Sequence, residues 1–168
     1  MPDIRKPLFD LLNKLNIAHT NHEHEAIFTV EAGAHIKASL PGGHTKNLFL
    51  KDKSGALFLV CALGDTKIAI NQLHKVLGCK RLSFGKPDLM LEVLGVVPGS
   101  VTFFAIMNDT EGRVQLVLDK ALLDFDIVNF HPLENTATTA FASQDLDVFA
   151  RATNHDPIIL DFAALGVG

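Results

Sequence analysis

The chain has 168 residues, 48% of them apolar, and a formal net charge of -4. This is enough apolar material for one globular domain, 1–168, with a sizeable core. No apolar run approaches the roughly 18 residues of a membrane span, and a protein that coats long DNA duplexes is normally basic, so neither membrane nor DNA is an expected partner. With no Trp or Tyr and 12 Phe, a platform of aromatics for single strands is also disfavoured.

The N-terminal stretch "MPDIRKPLFDLLNKLNI" is amphipathic and lacks an apolar signal core, which predicts a cytoplasmic protein. Leu8, Leu11, Leu12 and Leu15 fall at helical spacing, with Pro7 just inside the start. "IAHTNHEHE" reads as a short strand. Thr29 can cap a short helix from Val30 to about Ile36. "NLFLKDKSGALFLVCAL" reads as a hairpin about the turn Asp52-Lys53-Ser54-Gly55. Cys61 and Cys79 lack CxxC spacing and are expected to be buried small residues in a reducing compartment.

Asp65 is expected to cap the next helix, with Ile68, Leu73 and Leu77 inward and Gly78 as its stop. Pro87 and Asp88 open another, "PDLMLEVLG", ending near Gly95. "SVTFFAIM", "VQLVLDKAL", "FDIVNFHPL", "TATTAFA" and "PIILDF" are predicted strands, with a turn at Asn108-Asp109 and Gly112, and "SQDLDVFARAT" is a predicted helix. The expected fold is α+β, a single domain with a mixed, largely antiparallel sheet and surrounding helices.

Four stretches could carry chemistry. In "PGGHTKN", residues 41–47, Pro41, Gly42 and Gly43 suit a loop that admits a ligand to the backbone. Lys46 offers a cation with three donors for a phosphate or a developing oxyanion. A loop followed by an ordinary strand with a solvated lysine fits the same spacing. In "LGVVPGSVTFFAIMND", Gly95, Pro98 and Gly99 bend the chain and could present N–H groups to a carbonyl or carboxylate oxygen; a helix cap and tight turn is the plainer reading. In "NFHPLENTATT", His131 precedes a proline in extended backbone, and Asn135, Thr136, Thr138 and Thr139 add short hydrogen-bonding groups. A satisfied structural histidine is the alternative there. In "HTNHEHE", His22 and His24 share a strand face as a possible metal pair, and a hydrolase using His19, His22 and His24 is one rival reading. No partner at a telling distance completes such a site, so no metal or other cofactor is expected.

Together, "HTKNLFLKDKSGALFLV", "LHKVLGCKRLSFGKPDLMLEVLGVVPGSVTFFAIMND", "VQLVLDKAL" and "NFHPLENTATT" resemble the aminoacyl-tRNA deacylases of the YbaK and prolyl-tRNA synthetase insertion-domain superfamily. The likeness covers about residues 5–163 and is closest to the freestanding alanyl-tRNA(Pro) deacylases. It implies a trans-editing enzyme that hydrolyses the ester between alanine and the 3′-terminal adenosine of tRNA(Pro). Lys46 matches the family's functional lysine, Asn47 the polar residue beside it, and His131 the histidine near the terminal ribose. Gly95, Pro98 and Gly99 match the glycine-proline loop next to the aminoacyl group. Lys46, His131 and a backbone N–H near Gly99 are therefore the expected catalytic groups. Asn47, Gly95, Pro98, Ser100, Asn135 and Thr136 are expected to bind substrate. Lys51, Lys80 and Arg81 are expected to hold the acceptor end of tRNA, and prolyl-tRNA synthetase is a further possible partner. Phe103 stands where many relatives carry proline, which would alter a pocket wall. Another amino acid, such as cysteine or serine, and a non-catalytic tRNA- or synthetase-binding module are the alternatives.

Overall fold

Leu8 and Leu12, one helical turn apart, are both fully buried, and Pro7 sits in the first turn of the helix they anchor, α1 (Lys6–Lys14). The structure, a computed structural model, describes residues 4–26, 33–34 and 38–164. The expected helix from Thr29 to Ile36 lies almost wholly outside the described residues.

The elements that follow are β1 (His19–Glu23), β2 (Gly43–Asp52), β3 (Leu57–Leu63), α2 (Ile70–Leu77), β4 (Leu82–Phe84) and α3 (Pro87–Leu94). A 3-10 helix, Phe103–Asn108, leads to β5 (Val114–Asp119) and a second one, Lys120–Asp124. The chain then forms β6 (Ile127–Phe130), β7 (Ala137–Ala142), α4 (Asp145–Ala152) and β8 (Ile158–Leu160). The strands make one mixed sheet in the order β1-β7-β6-β2-β3-β5-β8, with β4 added to β2. β2 runs antiparallel to β3 and β4, and β7 antiparallel to β1 and β6. The pairs β2–β6, β3–β5 and β5–β8 are parallel. With helices on both faces, this is the expected single α+β domain. Among the described residues no helix is long and apolar enough to cross a membrane.

Alternation along the strands sorts the core into two sides. Phe49, Leu57, Leu59, Cys61, Leu116 and Leu118 pack with α1, α3, α4 and the Phe103–Ile106 turn. Leu50, Phe58, Val60 and Val117 pack on the other side with Leu73 of α2 and with Phe162.

Several expectations need correction. "SVTFFAIM" is not a strand. Thr102 caps a 3-10 helix by accepting from the Phe104 N–H, and Phe103, Phe104, Ala105 and Ile106 are all fully buried. Four consecutive buried side chains converge better from a tight turn than from a strand end, which sends alternate residues to opposite faces. Asp65 does not cap α2, which starts at Ile70 after an extended Ala69 with no side-chain cap. Gly78 and Gly95 do stop their helices, each in the left-handed region (φ 68° and 67°) that glycine adopts without strain. Cys61 is buried as expected, whereas Cys79 is only half-buried.

Candidate active site

The site is built where one edge of β2 changes partner. β6 pairs with β2 at Gly43 and His44, and β4 pairs with it at Leu50, Lys51 and Asp52. Between them that edge forks. The Gly64 N–H donates to His44 O and the Asp52 N–H to Ala56 O, so even-numbered residues of β2 turn their backbone groups toward β3. Odd-numbered residues face the other edge, where the Gly85 N–H donates to Phe49 O and the Thr45 hydroxyl to Asn129 O. Asn47 lies between these two, and neither β6 nor β4 pairs with it.

The same alternation separates Lys46 from its neighbour. Lys46 lies on the face of Leu48 and Leu50, and its Nζ donates to Thr66 O at the turn after β3. Asn47 lies on the Phe49 face, and its Oδ1 is buried without a hydrogen-bond partner. The two polar residues at the mouth of β2 thus point to opposite sides of the sheet, not into one cluster.

His131 stands on the same face as Lys46. The parallel register pairs His44 with Asn129, and Lys46 and His131 each stand two residues further along their chains. The His131 Nδ1 lies 3.3 Å from Ala137 O. A carbonyl only accepts, so Nδ1 carries the proton and Nε2 is left as an acceptor. Burial pushes the His131 pKa below its ordinary value of 6.5, and the neighbouring His24 adds to the effect, so the ring is neutral at pH 7.

Sequence reading missed the scaffold of this loop. Arg5 is only 11% exposed; its Nε donates to Glu134, its Nη1 to Glu23 and its Nη2 to the Thr136 hydroxyl. The His24 N–H donates to Thr136 O, and His24 Nε2 accepts from the Thr138 hydroxyl at 2.9 Å. Asn129 is nearly fully buried and donates to Pro41 O and Gly43 O, tying the glycine loop to β6. A histidine run and a proline-glycine pair hinted at His24 and at the loop, but nothing local marked Arg5, which acts across 129 residues of chain.

Val97-Pro98-Gly99-Ser100 is a tight turn. Gly99 has φ 91°, and the Ser100 N–H donates to Val97 O. Ser100 is buried and its N–H is used, so of these two residues only Gly99 keeps an N–H outside the backbone network described. A Cβ on Gly99 would lie 3.9 Å from Asn135 Nδ2, so the turn and the loop after His131 are neighbours. Gly95 has a structural duty. A Cβ there would come within 2.9 Å of Asn108 Nδ2, which donates to Leu94 O.

Other predicted groups lie apart. Lys51 is five residues from Lys46 along β2, about 17 Å for an extended strand, and Lys80 and Arg81 lie beside it because Lys51 pairs with Ser83. Phe103 is fully buried with ring centroids 5.2–6.3 Å from those of Phe104, Phe130, Phe141 and Phe149. It is core, not pocket wall. His19 stacks on Phe9 and its Nδ1 donates to Ile17 O, away from the pair His22 and His24. Among the described residues no group of three or more His, Cys, Asp or Glu is placed to hold a metal.

Two cavities lie near the turn after β3. One of about 290 Å³ is lined by Asp65, Thr66, Lys67, Asp119, Asp161 and Phe162, among others. The second, of about 240 Å³, lies against Gly42, Gly43 and His44 at the start of β2. Asp65 borders both.

Residues 24–149 match the family model of the aminoacyl-tRNA editing domain. The chain is 41% identical over 162 residues to prolyl-tRNA synthetase associated domain-containing protein 1 of Danio rerio, covering 95% of this chain and 88% of that protein. It is 32% identical over 154 residues to the prolyl-tRNA editing protein ProX of Acetoanaerobium sticklandii, covering 91% and 94%. A crystal structure of a candidate trans-editing enzyme for prolyl tRNA synthetase superposes with a TM-score of 0.69 at 17% identity, over 96% of this chain and 97% of that one.

Proposed function

The chain belongs to the aminoacyl-tRNA editing domain family, and from that premise we propose that it hydrolyses mischarged alanyl-tRNA(Pro) in trans. The observation that carries the reading is that Lys46 and His131 each follow the last β2–β6 pair, His44 with Asn129, by two residues and so share one face of the sheet, beside an edge of β2 left open at Asn47. Rigid elements hold a constellation more precisely than loops do.

The substrate is an activated ester, so orientation and charge stabilisation matter more than a strong protein nucleophile. Lys46 uses one of its three N–H groups on Thr66 O and directs the rest at an oxygen of the terminal ribose or phosphate. It stays clear of the alanine ammonium, a like charge. Neutral His131 accepts from a hydroxyl of the terminal ribose through Nε2. The Gly99 N–H, not that of Ser100, stabilises the oxyanion. Water, held by that ribose hydroxyl, attacks the ester carbonyl. The tetrahedral species then collapses, and the ribose oxygen leaves with a proton. The products are alanine and a tRNA with free terminal hydroxyls. Lys51, Lys80 and Arg81 sit far enough away to touch only the acceptor stem, and prolyl-tRNA synthetase is the natural partner for substrate transfer.

Selectivity follows from size. A synthetase pocket that accepts proline gains only about 1–3 kcal/mol against a smaller side chain. A second, smaller site admits alanine and excludes proline. The decisive test is turnover on a panel of alanyl-, cysteinyl-, seryl- and prolyl-tRNA(Pro). Alanine is expected to be released much faster than proline. Equal release of both removes the size sieve, and binding without any turnover leaves only a tRNA- or synthetase-binding module.

A further inference from the structure

The turn after β3 carries Thr66 O, the acceptor of the Lys46 ammonium. Besides the Gly64 N–H on His44 O, the side chain of Asp119 ties this turn to the sheet. Asp119 is the last residue of β5 and only 2% exposed. The parallel register that pairs Cys61 with Leu118 brings it beside the end of β3. Its Oδ2 accepts from the Leu63 N–H at 3.2 Å and from the Thr66 hydroxyl. Its Oδ1 accepts from the Ala121 N–H at 3.0 Å. The Thr66 N–H donates to Leu63 O at 3.1 Å and closes the turn Leu63-Gly64-Asp65-Thr66. Both ends of the turn are therefore held by one buried side chain.

Packing leaves Thr66 room to move. Thr66 and Asp119 both line the cavity of about 290 Å³. Asp65 and Lys67, on either side of Thr66 in the chain, are exposed, and α2 begins only at Ile70. A group that borders open space has no contacts on that side to fix it. Thr66 also faces two ways, with its carbonyl on Lys46 and its hydroxyl on Asp119. A lysine ammonium sits on a flexible four-carbon stem, so an acceptor held in place is what selects one position for it.

We propose that Asp119 and Thr66 are positioning residues for Lys46. Asp119 fixes Thr66, and the Thr66 carbonyl fixes the ammonium where it meets the substrate oxygen. Neither residue touches the substrate. Without its hydroxyl contact Thr66 is free to shift toward the cavity, and a displacement of about 1 Å in a catalytic group can cost as much as about 100-fold in rate. The effect on rate rests on the deacylase reading, whereas the control of the ammonium position by Thr66 rests on the hydrogen bonds alone.

Replacing Asp119 would also release Leu63 and Ala121 and endanger the fold, so the test is made at Thr66. Thr66→Val removes the hydroxyl at nearly constant shape and leaves Asp119 Oδ2 accepting from the Leu63 N–H. The experiment is a double-mutant cycle in the full chain, with Thr66→Val and Lys46→Met alone and together, read by single-turnover release of alanine from alanyl-tRNA(Pro). Thr66→Val should slow release about tenfold, melt within about 4 °C of the parent, and add no further loss in the Lys46→Met background. Thr66→Ser keeps the hydroxyl and should keep most of the parental rate. Losses that multiply in the double variant, a Thr66→Val rate near the parental one, or a Thr66→Ser protein as slow as Thr66→Val would each overturn the assignment. A second readout needs no turnover. Nitrogen NMR of the lysine ammonium groups identifies Lys46 as the signal absent from Lys46→Met. That signal should shift in Thr66→Val and stay in place in Thr66→Ser, and a signal unmoved by Thr66→Val overturns the proposal. Failure of the parent to hydrolyse any mischarged tRNA defeats the deacylase reading, while the shift in Thr66→Val still upholds the positioning of Lys46.

Discussion

Replacing Lys46 by methionine separates its two duties. The apolar stem remains on the Leu48 and Leu50 face of β2, and only the ammonium is lost. One hydrogen bond disappears, that to Thr66 O at a half-buried position. A bond of this kind contributes about 1 kcal/mol net, which for a domain of this size lowers Tm by about 2–4 °C. The catalytic loss is larger. The remaining N–H groups are assigned to a substrate oxygen, and a charge-assisted contact is worth about 1.5–3 kcal/mol. At about 1.36 kcal/mol per decade of rate, that is roughly 10- to 150-fold. Single-turnover release of labelled alanine from alanyl-tRNA(Pro), measured beside a thermal melt of the same preparation, reads both quantities. A folded Lys46→Met protein that melts within a few degrees of the parent and hydrolyses at near-parental rate would refute the role given to Lys46.

His131 should act as a fixed hydrogen-bonding group. Its folded pKa lies below 6.5, so the neutral form is retained from alkaline pH down through 6.5, and both the activity and the stability it contributes are lost only as pH falls below that value. His131→Asn should keep part of the turnover and His131→Ala less; equal inactivity of the two would make it a general base instead. Arg81→Ala should weaken binding of whole tRNA yet spare a minimal aminoacyl-adenosine fragment, since Arg81 lies at the far end of β2. With about three phosphates neutralised, log K against log salt should have a slope of roughly -2 to -3, and a slope near -8 would contradict the small footprint. Asp52 feels an upward push from burial, but hydrogen bonds from Ser54, Ala56 and Lys80 outweigh it and hold its pKa at about 2 against an ordinary 3.8. The stability this contributes is present above about pH 4 and lost as pH falls toward 2. Asp52→Leu should therefore lower Tm at pH 7 and flatten the acid limb, and an unchanged acid limb would show that the turn does not depend on the carboxylate.

The sequence made the local decisions visible where periodicity and punctuation agree. Leu8 and Leu12 mark α1, Gly78 and Gly95 end α2 and α3, and Asp52 to Gly55 turns the hairpin. It misled where burial overrode propensity. The aromatic run after Thr102 has strong strand character, yet its neighbours are Phe130, Phe141 and Phe149, which arrive from later in the chain. Lys46 and Asn47 looked like one cluster because they are adjacent, although a period of two already sends them to opposite faces once the strand is granted. The Arg5 clamp was out of reach, since a lone arginine before a helix carries no sign of glutamates and a threonine that fold beside it.

The fork in β2 supports placing the proposed site there. Backbone N–H and C=O groups inside a sheet are almost always paired, because leaving one buried and unmatched costs about as much as losing a hydrogen bond. β2 pairs with β3 from Thr45 to Lys51 without a break. On its other edge β6 stops at His44 and β4 starts at Leu50. A sheet selected only for stability would continue one of these neighbours across Asn47. Asn47 also buries an Oδ1 with no partner beside this gap. That oxygen gains a donor if a ribose hydroxyl enters between β6 and β4. Lys46 and His131 then stand on one face of that opening, and Asn47 on the other.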